Sequence, residues 1–418
     1  MENAEQALAK LDKGFSSINY PDYARKLYLI DKCIHGADIQ PIAVQIAKLR
    51  VFISLVVSQK IDPDEDNLNI TPLPNLETRI VAANTIRPLE RAKQGELFRD
   101  DAIVDLEARL RDANERHFAA RTRKTKLKER GQINALRYEL SERLQQTHGI
   151  TGEVAKQIAK WDPFDQNIAA DFFDPEWMYG RADKFNMVIA NLELFGWEKI
   201  GKDKAWLKAS HEALKKNKGK NAKFLPLGLY QSFTGTADYL VYFMERGLDL
   251  LAPGGMFVYI TSNKWFRAKY GANIRTWMNR AARIHSIIDF GDASVFDALA
   301  YPTVITAEKR AQVKEQPEAS DVFRAWHWPS ELTRDDIPNF PDLFAEQSFE
   351  VPQKSLDNIK GWQLEPKYKR ELLERVRNSG SSLKTYTGQR VFRGVTTGCN
   401  PAFLLSEQEK DHIISADP

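Results

Sequence analysis

Apolar residues along this chain fall into two alternating rhythms. Ile42, Ile46, Leu49, Ile53 and Val57 recur three or four positions apart, the spacing of one helix face, and Pro41 suits the first turn of that helix. Residues 20–33 form a second helical pattern just upstream. Between the two, His35-Gly36-Ala37-Asp38-Ile39 reads as the end of a strand. Thr78–Asn84 is a short apolar run with a polar tip, and Phe185–Asn191 is a longer one that also ends in a polar residue. Ala237–Leu251 is an amphipathic helix stopped by Pro253-Gly254-Gly255. Met256–Thr261 then reads as a strand, with Ser262-Asn263-Lys264 at its carboxyl end. Ile284–Phe290 and Pro302–Thr306 supply two more strands. Such alternation predicts an α/β fold built on one largely parallel sheet covered on both faces.

Several stretches break the rhythm. Residues 62–75 are a loop rich in Asp, Asn and Pro. Residues 90–147 contain no proline and are dense in Leu, Ala, Glu and Arg, which predicts long helices inserted outside the sheet. Six of the ten residues 121–130 are Lys or Arg, and such a run is either a solvated helix face or a nucleic-acid contact. Nine lysines lie between 199 and 223, a composition that suits a mobile loop. After residue 312 the pattern weakens into charged, proline-containing connections, and a new Gly/Thr-rich segment begins near Thr385.

Length and charge narrow the picture further. At about 100–200 residues per domain, 418 residues make two to four domains. A formal charge of +3 excludes a whole-chain basic footprint for nucleic acid but not local ones. Two cysteines, Cys33 and Cys399, exclude a disulfide scaffold and point to a reducing, cytoplasmic setting. No apolar run has the length of a membrane span. The seven histidines are scattered and none pairs with a cysteine at zinc spacing, so no metal is expected. Neither a Gly-x-Gly turn nor a P-loop occurs.

Open α/β sheets bind ligands at the carboxyl ends of their strands. Four polar tips therefore matter: Asp38, Asn84, Asn191 and the Ser262–Lys264 cluster. A carboxylate ending a second strand can accept hydrogen bonds from both ribose hydroxyls of a nucleotide. Asp38 equally suits an N-cap before Pro41, and Asn84 equally suits a turn. These tips are expected side by side along one edge.

The order of the segments closely resembles the large adenine-specific DNA methyltransferases of type IIG restriction–modification and phage-exclusion (BREX) systems. Tyr28–Arg50 is similar to their second motif and Pro72–Thr85 to their third. Trp161–Asn167 and Phe173–Met178 resemble the approach to the catalytic loop. Asp238–Leu248, Gly254-Gly255 and Ile260–Phe266 resemble the next two motifs. Ile288–Asp292 and Val295–Pro302 complete the catalytic half, and Thr397–Phe403 resembles the entry to a target recognition domain. The resemblance implies a Rossmann-like class I methyltransferase sheet, incomplete at its amino end, with a helical insertion and the start of a recognition domain. It also implies methyl transfer from S-adenosylmethionine to N6 of an adenine flipped out of double-stranded DNA. Asp38 would bind the cofactor's ribose, Asn84 would sit beside its adenine, and Ile39 would pack on that ring. Asn191 would accept a hydrogen bond from the target amino group and Phe296 would stack on the base.

Two departures from the family pattern stand out. The catalytic loop of the family reads Asn-Pro-Pro-Tyr, whereas here Asn191 is followed by Leu192-Glu193-Leu194. The chain also begins after the Gly-rich first motif of the family, so it is expected to be a fragment or diverged copy of such an enzyme, or one half of a split enzyme whose companion polypeptide supplies that motif. The expected organisation is a cofactor-side part (1–89), a helical insertion (90–160), a catalytic half (161–312), a connector (313–384) and the opening of a recognition domain (385–418). The alternative to an enzyme or half of a split enzyme is a non-catalytic DNA-binding decoy of a defence locus. No nuclease carboxylate cluster is recognisable.

Overall fold

The computed structural model describes residues 21–60, 62–65, 74–89, 101–147, 161–165, 167–181, 183–191, 205–208, 230–293 and 301–381, with single residues 68, 70, 203, 295, 385, 386 and 388. In chain order it contains α1 (Pro21–Lys32), β1 (Gly36–Asp38), α2 (Pro41–Val56), β2 (Ile80–Ala82), α3 (Asp101–Ala119), α4 (Arg123–Thr147), α5 (Pro175–Tyr179), β3 (Phe185–Asn191), α6 (Tyr239–Leu250) and β4 (Leu251–Ser262). There follow α7 (Lys264–Arg267), α8 (Ala272–Ala281), β5 (Ala282–Asp289), β6 (Pro302–Lys309), β7 (Val322–His327), α9 (Phe340–Gln347), β8 (Phe349–Pro352) and α10 (Lys367–Asn378). Residues 365–418 form a unit separate from residues 1–364. Among the described residues, no helix is long and apolar enough to cross a membrane.

The strands form two sheets rather than the single one expected. β1 and β2 pair in parallel, and Ala170 adds a parallel bridge to Ala83 beyond β2. The other six strands are ordered β3-β4-β6-β5-β7-β8. This sheet is mixed: β3–β4 and β5–β7 are parallel, whereas β6 runs antiparallel to both of its neighbours and β8 antiparallel to β7. Among the described residues, one edge of β1 and one edge of β3 carry no partner strand. β3 is consequently not the buried strand its apolar sequence predicts: Met187 and Ile189 are 53% and 69% exposed. The stripe on α2 also faces outward, Ile42, Ile46, Leu49, Ile53 and Val57 all being exposed, while Val44 and Leu55 of the same helix are buried.

The connector expected over 313–384 is a further correction. Its residues 322–327 and 349–352 form β7 and β8 of the main sheet. Phe323, Ala325 and Val351 join the main core with Leu240, Val241, Met244, Phe257, Ile287 and Ile305. α6 turns its apolar stripe into that core, which fixes it against β4.

Within α6, Glu245 is buried and accepts hydrogen bonds from the Gln231 and Ser232 backbone amides and the Ser232 hydroxyl. Burial, with Asp249 nearby, pushes its carboxyl up to about 7. A raised carboxyl favours the folded state most at low pH. Stability from this group is complete below the ordinary glutamate value and is lost as pH rises through about 7. Glu245→Gln, neutral at every pH, is expected to flatten the fall in urea midpoint between pH 5 and pH 8; an unchanged slope would assign that fall to another group.

Within residues 101–147 the chain forms the two helices α3 and α4. α3 and α4 pack their Ile103, Leu106, Leu110, Ile133 and Leu140 against Val81, Leu89, Trp161 and Phe172. The Asn75 amide donates to the carbonyls of His117 (2.6 Å) and Ala120 (2.9 Å) and clamps the hairpin turn near the amino end of β2. The basic run is only partly solvated. Arg121, Arg123, Lys124 and Lys128 are exposed, but Glu129 is buried against Arg116 (3.0 Å) and Arg130 lies 4.3 Å from the Phe164 ring centre. This turn is therefore placed away from the carboxyl-end tips. If the chain binds DNA, replacing Arg121, Arg123, Lys124 and Lys126 with Gln is expected to leave the salt dependence of that binding unchanged, whereas a slope flattened by about one per lost phosphate contact would place DNA on the hairpin.

Candidate functional site

The carboxyl ends of the parallel strands carry the predicted polar tips. Asp38 ends β1, where its Oδ1 accepts the Gln40 amide at 2.7 Å and turns the chain into α2. Gln40, not Asp38, is the N-cap of that helix. The Asp38 side chain is exposed and Oδ2 has no partner among the described residues. Ile39 beside it is half exposed.

Asn84 follows β2 and is 8% exposed. Its Oδ1 accepts the Ile86 amide at 3.2 Å, and its Nδ2 donates to Asp203 Oδ2 at 3.2 Å. Asp203 also pairs with Arg87 Nε at 2.5 Å and accepts the hydroxyl of Tyr239. The Arg87 guanidinium in turn lies 5.6 Å from the Trp206 ring centre. Burial, then Asp203 itself, push the Tyr239 hydroxyl far above its ordinary range, so it remains a donor.

Asn191 is the last residue of β3, exposed and in register with Ile260 of β4. Ser262, Asn263 and Lys264 lie just beyond on β4 and its turn. The Asn263 amide donates to both oxygens of Asp289 at the tip of β5, at 3.0 and 3.3 Å. Phe296 and Leu192–Phe195 lie outside the described residues, as does the Thr397–Phe403 segment.

The two sheets are tied together at both ends of their strands. Near the strand starts, the Tyr179 hydroxyl donates to Gly36 O at 2.7 Å, and the His35 and Phe185 rings are 5.9 Å apart. Burial, reinforced by Arg79 and Arg181, lowers the His35 imidazole to about 4 and keeps it neutral there. At the other end, Asp203 joins Asn84 to Tyr239, the first residue of α6, which runs back into β4. Between these ties, Arg246 donates to Thr85 O and Phe173 O, both at 3.1 Å. Starts lie near starts and ends near ends, so all four tips face one side. The structure thus pairs Asp38 with Asn84, and Asn191 with the Ser262–Lys264 cluster.

Asp203, Arg87 and Tyr239 are the residues that sequence reading misses. Asp203 lies 119 positions from Asn84 inside a lysine-rich stretch, where nothing in the pattern marks it. Tyr239 follows the Asp238 N-cap, and its position at a helix start is the only available signal.

The geometry can be set beside known proteins. A family model described as Eco57I restriction-modification methylase matches residues 32–192 and 209–296, more than half of the chain. The chain belongs to this family. Type II methyltransferase M.PaeR7I of Pseudomonas aeruginosa is 25% identical over 184 residues, covering 42% of this chain and 30% of that protein. Type II methyltransferase M.XhoI of Xanthomonas vasicola is 29% identical over 82 residues, covering 19% and 15%. The chain therefore spans less than a third of the length of either relative. The type IIG restriction endonuclease BpuSI aligns over 98% of this chain and 53% of its own, at 12% identity and a TM-score of 0.33, a loose likeness. The structure has the α/β class that the sequence predicts, with a parallel two-stranded sheet and a mixed six-stranded one. Among the described residues there is no cluster of His, Cys, Asp and Glu placed to hold a metal.

Proposed function

We propose that this chain is the methyltransferase core of an adenine-specific DNA methyltransferase of a cytoplasmic restriction–modification or phage-defence system. The observation that carries this reading is Asn191, an exposed amide at the carboxyl tip of β3 beside the Ser262–Lys264 tip of β4, in a chain of the methylase family. An adenine amino group is shielded in duplex DNA, so the base must be extruded to reach such a tip. S-adenosylmethionine, when bound, supplies an electrophilic methyl group. Asn191 accepts a hydrogen bond from the target nitrogen and holds its lone pair toward that methyl group. Phe296 stacks on one face of the base.

The residues at the other pair of tips fit the cofactor in part. Asp38 keeps one carboxylate oxygen free for a ribose hydroxyl, and Ile39 offers an exposed apolar side chain to a ring. Asn84 has one amide N–H committed to Asp203 and the second available to the adenine. Calorimetric titration with S-adenosylmethionine tests the assignment. Weak binding is expected, abolished by Asp38→Ala, and a flat titration of the unmodified chain would overturn it.

Among the described residues the edges of β1 and β3 that carry no partner strand, with Met187 and Ile189 of β3 exposed, favour a companion polypeptide that adds a strand there. Such a strand would complete the cofactor side of the site.

A further inference from the structure

Tyr301 is held in a conformation that its sequence context opposes. Its φ is +47°, in the left-handed region that bulky residues avoid. It also precedes Pro302, and residues before proline favour extended backbone. The surroundings enforce the conformation. The Asn263 amide donates to Tyr301 O at 2.9 Å, and Pro302 O accepts from Phe290 at 3.0 Å. The Asn263 side chain is itself fixed on Asp289. Strain of this kind concentrates at functional sites. It does not serve packing here, because Tyr301 is 44% exposed and its hydroxyl has no hydrogen-bond partner among the described residues.

Position gives the strain a meaning. β6 runs antiparallel to β4, with Pro302 opposite Ser262. The start of β6 therefore lies at the same edge as the ends of β3 and β4. Asn191 stands opposite Ile260 on β4, so Tyr301 lies two strands across and three residues further up. Strand spacing and rise place the two Cα atoms about 14 Å apart. An adenine bonded to the Asn191 amide through its amino group fits within that span, with the Tyr301 ring against one face.

We infer that Tyr301 is a base-stacking residue that covers one face of an adenine held at Asn191. This rests on the adenine-methyltransferase reading above. The stack needs only an aromatic face, so the hydroxyl is dispensable and the ring is not.

The test uses the full chain and a single-stranded oligodeoxynucleotide carrying one 2-aminopurine, a base whose fluorescence is quenched on stacking. Quenching by the unmodified chain is expected, with Tyr301→Phe within about twofold of it and Tyr301→Ala roughly tenfold weaker. Tyr301→Gly relaxes the backbone without restoring a ring and is expected to match the alanine variant. Thermal melts of the Phe and Gly variants separate folding from binding. Asn191→Ala is the reference for the wider reading. If it loses quenching while Tyr301→Ala retains it, the adenine site stands and the Tyr301 assignment falls. If the unmodified chain gives no quenching, the adenine reading falls and takes the assignment with it.

Discussion

Transfer of tritiated methyl groups to unmethylated DNA by this chain alone is expected to stay at background. The reason lies in what surrounds Asn191. The loops that this segment resembles carry two prolines, which restrict the backbone; Leu192 and Glu193 stand in their place here and impose no such restriction. A reacting group misplaced by about 1 Å costs on the order of 100-fold in rate. Leu194 offers no π-face, and a lost base–aromatic stack removes roughly 1–3 kcal/mol of base binding. The stacking proposed for Tyr301 would offset that second loss but not the first. Finally, Asn191 ends a strand whose second edge has no partner among the described residues.

These losses multiply because they act on separate requirements: aim, base capture and rigidity. Leu192→Pro, Glu193→Pro and Leu194→Tyr together restore the prolines and the ring of the related loops. Methylation above the background of the unmodified chain is therefore expected from the triple variant. No gain by the triple variant would show that this loop is not what limits the reaction. Robust incorporation by the unmodified chain would overturn the reading of the loop, and Phe195 would become the candidate for the ring at that position.

Local order was legible where one rhythm ran unbroken. Pro41 with the following stripe fixed α2, and Phe185–Asn191 fixed β3, because both patterns exceed one period and have clear ends. Which way those patterns face was not legible. A stripe says that one side of a helix is apolar, not that a neighbour covers it, and the α2 stripe and the β3 side chains Met187 and Ile189 are both exposed. β7 and β8 escaped for the opposite reason. Arg324 interrupts the apolar character of β7, and β8 has four residues ending in Pro352, so neither rises above its charged surroundings. Proline is tolerated there because β8 is an edge strand. The mixed direction of the sheet follows from β6, which enters from Pro302 and inserts between β4 and β5, a topology that alternation alone does not encode. At the site, Asp38, Asn84 and Asn191 were visible because each stands at the end of a strand or just past it. The residues that join the two sheets were not, since Asp203 meets Asn84, Arg87 and Tyr239 only through long-range folding.

That junction is where a single substitution should have its largest effect on the fold. Asp203→Ala removes the acceptor of the Tyr239 hydroxyl, the acceptor of one Asn84 N–H and the counter-charge of Arg87. The Asp203 and Arg87 side chains are only 10% and 23% exposed, so the guanidinium left behind is poorly solvated. Breaking a buried pair by removing one partner costs about 3–5 kcal/mol. Asp203→Asn keeps the shape and an acceptor for Tyr239 but turns an amide toward Arg87, so its loss should be smaller. Arg87→Ala leaves Asp203 with two neutral donors and should fall between the two. Urea midpoints at pH 7 check this order, and a double-mutant cycle through Asp203 and Arg87 should give a coupling of about 0.5–3 kcal/mol, the range for residues in contact. The same substitution frees Asn84 to rotate, so S-adenosylmethionine should bind Asp203→Ala more weakly even at temperatures where the variant remains folded. If Asp203→Ala melts and binds as the unmodified chain does, Arg246, through its bonds to Thr85 and Phe173, holds the two sheets without it.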